Sequence, residues 1–238
     1  MRALRLGPVH TVALEYSADY GATWNTFYDG VNGTAVTLAN AGDIICIRAG
    51  QGGNPTLSEG YDNRACYFYF SKKVRVGGNI MSLLTQDDVS EFPAGTESHA
   101  FDGLFYNCDK LIDALALKLP ATTLVDSCYR GMFYGCTSLL ATPAVLPATT
   151  LAENCYADMF GNCAALVYTA DLPATTLAAG CYSGMFQNCA SLKNASALPA
   201  PALAPSCYAG MYSGCASLIN ASSLPATTLA GGCYSNMF

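Results

Sequence analysis

The sequence predicts an α/β solenoid, with one short helix and one short parallel strand per repeat of about 26 residues, preceded by an all-β sandwich. Three observations predict it. A motif rich in Cys, Met and aromatic residues recurs between Ala100 and Phe238. A second element, LPATTL, alternates with that motif. Ahead of both, short runs of β-branched and aromatic residues are divided by turn residues.

The motif reads CYRGMFYGCTSL from Cys128, CYADMFGNCAAL from Cys155, CYSGMFQNCASL from Cys181 and CYAGMYSGCASL from Cys207. An earlier copy, AFDGLFYNCDKL, starts at Ala100, and CYSNMF starts at Cys233. Successive starts are 28, 27, 26, 26 and 26 residues apart. The CYSNMF copy is incomplete, so the array is expected to continue beyond Phe238. LPATTL occurs at Leu119, Leu146, Leu172 and Leu224, with LPAPAL at Leu198.

In the Cys155 copy the apolar residues are Cys155, Tyr156, Met159, Phe160 and Cys163. The spacing i, i+1, i+4, i+5, i+8 predicts one face of a short helix. Such a helix is too short to persist alone and is expected to be held by stacking on its neighbours. Leu192, Ala195 and Leu198, three apart, predict a short parallel strand and turn that form one rung per repeat.

Residues 1–84 predict the sandwich: TVALEYS, ATWNTFY, TAVTL, DIICIRA, CYFYF and KVRVGGNI read as short strands between Gly-, Asn- and Asp-rich turns. Residues 85–91 form an acidic junction, and the repeats fill 92–238.

The repeat pattern resembles the BspA-like leucine-rich repeats of bacterial surface proteins, carried by MFxxCxSL followed by a Leu-Pro element. The resemblance implies a leucine-rich-repeat solenoid and a role in adhesion, by binding of host matrix proteins and coaggregation. An Ig-like module ahead of the repeats is similar to an arrangement in gut-bacterial surface proteins.

Twelve cysteines raise the question of disulfides. On a helix Cys155 and Cys163 would lie roughly 12 Å apart. Equivalent cysteines on neighbouring helices would be roughly 8–10 Å apart. Both distances exceed the Cα separation of about 4.4–6.8 Å that a disulfide needs. The expectation is two ladders of buried free thiols. Cys46 and Cys66, in the first domain, are the remaining candidate pair. The C-x7-C spacing does not suit zinc, and the only histidines are His10 and His99.

SADYGATW, Ser17 to Trp24, is similar to the Asp-box of sialidases. Here it predicts a structural hairpin in which Asp19 accepts from turn N–H groups, Gly21 takes a positive φ and Trp24 packs on the core. A sialidase propeller needs several such hairpins and an arginine cluster. The six arginines, at 2, 5, 48, 64, 75 and 130, show no such grouping. A carbohydrate-active enzyme is therefore a remote alternative. LPATT is similar to a sortase sorting signal, but lacks its glycine and recurs internally, so it reads as a Pro-stiffened turn. Asp87, Asp88 and Glu91 are read as a solvated acidic linker rather than a calcium site.

The net charge of −6 and scattered Lys and Arg argue against nucleic acid. No apolar run is long enough to span a bilayer, and no signal peptide is evident in the first residues. The function expected is non-catalytic protein or glycan binding at a cell surface or as a secreted protein, without metal or cofactor. A phage virion component that binds a bacterial surface is the alternative. Counted from the leucine after each second cysteine, the variable positions expected to be exposed and ligand-binding are Val167, Tyr168 and Asp171, then Lys193, Asn194 and Ser196, then Ile219, Asn220 and Ser222.

Overall fold

A computed structural model describes residues 2–3, 13–28, 36–37, 39–54, 56–57 and 68–238. Its strands are β1 (Arg2–Ala3), β2 (Leu14–Ser17), β3 (Asn25–Tyr28), β4 (Cys46–Ala49), β5 (Phe68–Tyr69), β6 (Val74–Asn79) and β7 (Leu111–Lys118). β2 is the centre of a three-stranded antiparallel sheet, between β3 and β4. β1 and β5 form a two-residue antiparallel pair, and β6 runs parallel to β7. Among the described residues these small sheets are not the expected two-sheet sandwich, and part of the TAVTL and CYFYF runs lies outside the described residues. β6 pairs with the repeat region, so KVRVGGNI acts as a rung beneath the first repeat. Among the described residues no helix is long and apolar enough to cross a membrane.

The expected helix in each repeat is absent. Among the described residues the only helical element is a single 3-10 turn, Ile80–Leu83, capped by the Asn79 side chain. The Cys-to-Cys segments are instead chains of tight turns with a four-residue period. Every fourth residue has positive φ: Asn154, Asp158 and Asn162 in one copy, Gly180, Gly184 and Asn188 in the next. An α-helix requires φ near −63° throughout, so one left-handed residue in four forbids it. Those positions hold Asn, Asp, Gly, Ser or His, the first three being the residues that best tolerate this conformation.

Backbone hydrogen bonding follows the same alternation. Cys128, Arg130, Met132 and Tyr134 donate to the carbonyl three residues back. Ser127, Tyr129, Gly131, Phe133 and Gly135 donate forward, to Glu153, Cys155, Ala157, Met159 and Gly161 of the next copy. Thus each rung is closed by its own turns and joined to the next rung by parallel bonds. Buried N–H groups are satisfied without helix or extended sheet.

Beyond the first repeat, whose strand is β7, the expected strand shrinks to single bridges such as Ala141 to Tyr168, Asn194 to Asn220 and Ala202 to Thr228. Proline explains part of this, since Pro147, Pro173 and Pro199 have no N–H to donate to a ladder. In the four Leu-Pro-Ala elements from Leu119 to Leu198 the Leu and Ala are buried, as at Leu146 and Ala148 or Leu172 and Ala174, whereas Leu224 is exposed. A leucine-rich-repeat solenoid of strand and helix therefore does not describe this chain. It is a stack of coil rungs.

The core consists of columns running through that stack. Phe101, Tyr129, Tyr156, Tyr182, Tyr208 and Tyr234 stack with centroids 5.7–5.9 Å apart. Phe105, Phe133, Phe160, Phe186, Tyr212 and Phe238 stack at 5.2–5.9 Å. This second column extends below the repeats through Phe68 to Phe27. Near-parallel aromatic pairs contribute roughly 0.5–1.5 kcal/mol each beyond the area they bury.

Thiols form matching columns. Cys108, Cys136, Cys163, Cys189 and Cys215 each donate from Sγ to a phenylalanine carbonyl one rung back, at 3.0–3.3 Å. All described cysteines are free, as expected, but the expected reason is corrected. Rungs are about 4.8 Å apart where they bridge, so neighbouring Cα atoms are close enough for a disulfide. In the column from Cys108 to Cys215 the repeated Sγ–H to carbonyl bond gives every thiol the same direction. Cys46 is free, and its candidate partner Cys66 lies outside the described residues.

Candidate functional site

The stack leaves two adjacent columns of side chains on one surface. Counting from the leucine that closes each turn segment, the first position is Leu140, Val167, Lys193 and Ile219. The second is Ala141, Tyr168, Asn194 and Asn220. Rungs meet here through the Ala141–Tyr168 and Asn194–Asn220 bridges and through the Ile219 N–H, which donates to the Lys193 carbonyl. Tyr168 is 71% exposed and Ile219 75%. Lys193, Asn194, Asn220 and Asp171 are exposed, and Val167 is half-buried. The Asn220 Nδ2 donates to Asn194 Oδ1 at 2.7 Å, which ties two rungs through their surface amides.

Ser196 does not belong to this surface. It is 7% exposed, its N–H donates to Tyr212 Oη at 3.0 Å and its Oγ lies 3.0 Å from Thr169 Oγ1. Ser222 is half-buried and its hydroxyl donates to the Ser196 carbonyl. Both serines serve the contact between rungs. Asp171 bridges back to Val145, an exposed residue, at the edge of the same surface. Sequence reasoning missed Leu140, which is 51% exposed at the head of the first column, and Val145. The signal was available, since Leu140 follows Leu139 as Val167 follows Leu166.

The SADYGATW hairpin has the expected internal bonding. Thr23 donates from N and from Oγ1 to the Asp19 carboxylate, and Ser17 Oγ donates to Asp19 Oδ1. Gly21 has φ +90° and donates its N–H to Ser17 Oγ at 2.7 Å. These bonds, that of Ser17 foremost, hold the Asp19 carboxyl down at about 2. The expected core packing of Trp24 is corrected. Trp24 is half-buried and its ring lies under the Arg48 guanidinium, 3.9 Å from the centroid, while Arg48 also pairs with Glu15 at 2.8 Å.

Glu91, read as linker, is a fastener. Its carboxylate accepts from the N–H and Oγ1 of Thr122 and from the Thr123 N–H at 2.6–3.1 Å. Partial burial pushes its pKa up, but those bonds outweigh burial and the net shift is downward.

A charged row crosses the first three turn segments. His99 Nδ1 lies 2.9 Å from the buried Asp102 carboxylate. Arg130 acts electrostatically on both Asp102 and Asp158, and Gln187 Nε2 donates to Asp158 at 2.7 Å. Burial is the largest influence on both carboxyls and raises them despite the arginine. The row stitches rungs together.

An open, polar cleft of about 430 Å³ lies between Gly52–Asn54, Leu84–Asp87 and Pro93–Thr96. Among the described residues Asp87 is the one carboxylate that lines it. Among the described residues no group of three His, Cys, Asp or Glu is placed to hold a metal ion. Comparisons with family models, with curated proteins and with solved structures return no match for this chain.

Proposed function

We propose that this chain is a non-catalytic adhesion protein, secreted or held at a cell surface, whose stacked repeat face binds a host matrix protein or surface glycan. The observation that carries the reading is the double column from Leu140 to Ile219 and Ala141 to Asn220. There an aromatic ring, amides and aliphatic groups are exposed on a backbone fixed by the core behind them. A rigid scaffold spares the ordering cost that a loop would incur on binding. Its side chains are those of a recognition surface, with no histidine, cysteine or serine nucleophile exposed among them. The resemblance of MFxxCxSL and its Leu-Pro partner to BspA-like surface proteins supports the same reading.

The test is saturable binding to arrayed mucin glycans and extracellular-matrix proteins. Binding is expected to be lost in a Tyr168→Ala/Asn194→Ala/Asn220→Ala variant that melts like the parent. Binding that survives this variant would move the site elsewhere.

A further inference from the structure

Resting on that reading, we propose that the ligand is a linear, uncharged glycan lying along the stacking axis, with about one sugar ring per rung. Three features lead there. The first is repetition. Equivalent surface positions recur once per rung, and stacked rings in the core measure that step as 5.2–5.9 Å. A pyranose ring in an extended β-linked chain advances by a similar length. A polymer of identical units can meet successive rungs in register, which an irregular protein loop cannot.

The second feature is charge. From Leu140 to Phe238 the charged side chains are Glu153, Asp158, Asp171 and Lys193, and Lys193 is the one cation, with Asp171 at the edge of this surface. A sulfated, phosphorylated or uronate-rich polymer would find a single cation, whereas polyanion binders use clusters of Lys and Arg. Electrically this surface complements a polymer of hydroxyl and acetamido groups.

The third is the chemistry of the positions themselves. The exposed Tyr168 ring is free to stack on the C–H face of a sugar, while its hydroxyl stays in water. The Asn220-to-Asn194 hydrogen bond fixes both amides before any ligand arrives. It leaves N–H donors on Asn194 Nδ2 and acceptor capacity on Asn220 Oδ1 for sugar hydroxyls or an acetamide. Leu140, Val167 and Ile219 supply the apolar flank of the track.

The experiment is titration calorimetry with cello- and chito-oligosaccharides, from the disaccharide to chains longer than the face. Heparin and a matrix protein such as fibronectin serve as comparators. Affinity is expected to rise with each added sugar until the chain covers the rungs from Leu140 to Ile219, then to level off. Tyr168→Ala should weaken binding about tenfold or more and Tyr168→Phe should leave it nearly intact, because the ring face rather than the hydroxyl makes the contact. Affinity independent of length, preference for heparin, or equal losses in Tyr168→Ala and Tyr168→Phe would overturn the inference. Binding to the matrix protein alone would overturn it while leaving the adhesive face in place. Binding to none of the probes would count against both.

Discussion

Gly184→Ala separates a coil rung from a helix by the sign of its effect. Gly184 has φ +60°, and a Cβ built there would lie 2.2 Å from Asp158 Oδ1 on the preceding rung. In a helix the same replacement would stabilise by roughly 0.5–1 kcal/mol. Here alanine must accept a left-handed backbone, at roughly 1–3 kcal/mol. It must also displace the Asp158 carboxylate, which accepts from Gln187 at 2.7 Å, and losing that bond costs roughly 1 kcal/mol more. Together these give a destabilisation of about 2–4 kcal/mol, or a Tm lower by roughly 5–12 °C for a chain of this size. Gly231, whose φ is not positive and whose Cβ would meet nothing within 4 Å, is the control, and Gly231→Ala should be neutral. The assay is urea and thermal unfolding of both variants. Hydrogen exchange at the Gly184, Phe186 and Asn188 amides, which donate to Ala209, Met211 and Ser213, reports the local effect. A Gly184→Ala protein as stable as the parent or more so would refute the rung geometry.

Phe160→Ala, which removes a ring stacked on both Phe133 and Phe186, is expected to cost about 3–5 kcal/mol in the same unfolding assay. Burial lifts the thiols of Cys108 and Cys181 to about 12 and that of Cys207 to about 11. At pH 8 their thiolate fraction is then lower by at least roughly 200-fold than that of a free cysteine. Thiol titration should accordingly find these groups silent in native protein and close to all 12 cysteines reactive after denaturation. Because burial raises Asp102 in the fold, the native state holds its proton more tightly than the unfolded chain does. Its contribution is full below the unfolded value of about 4 and is lost as pH rises through the folded value. An Asp102→Asn protein should lose that component of the stability-against-pH curve. Asp19 runs the other way: its stabilisation of the hairpin is present above the unfolded value and fades as pH falls toward about 2. Trp24 fluorescence against pH, in parent and Asp19→Asn protein, checks it.

What the sequence made legible was the burial pattern rather than the backbone that produces it. Cys155, Tyr156, Met159, Phe160 and Cys163 are all buried, as the helix expectation required. Over nine residues, however, a period of 4.0 and a period of 3.6 bury nearly the same set. The discriminating residues were Asn154, Asp158 and Asn162, then Gly180, Gly184 and Asn188, spaced four apart and suited to positive φ. In the strand segments the three-residue spacing of Leu192, Ala195 and Leu198 already disagreed with a two-residue pleat. It is the spacing that β7 itself shows, with Leu111, Ala114 and Leu117 buried. On the candidate face, exposure was legible for Tyr168 and Asn220. The inward turn of Ser196 was not, because it depends on the hydroxyl of Tyr212, 16 residues away.

The forward-pointing bonds of the turn segments give the molecule an electrical direction. From Ser127 to Gly135 every second peptide N–H points toward the next rung, and the carbonyls of Asp126 and Cys128 point back to His99 and Phe101. The same sense recurs at Asn154, Tyr156 and Asp158 and at Gly180, Tyr182 and Gly184. Aligned peptide dipoles of about 3.5 D add along an axis, as they do in a helix. Along the turn segments the positive pole lies toward the later rungs, whereas elsewhere in the rung the N–H groups of Val167 and Ile219 point back, to Leu140 and Lys193. A charged or polar group approaching the turn segments would meet a surface whose two ends differ, while the candidate face carries inter-rung bonds of both senses.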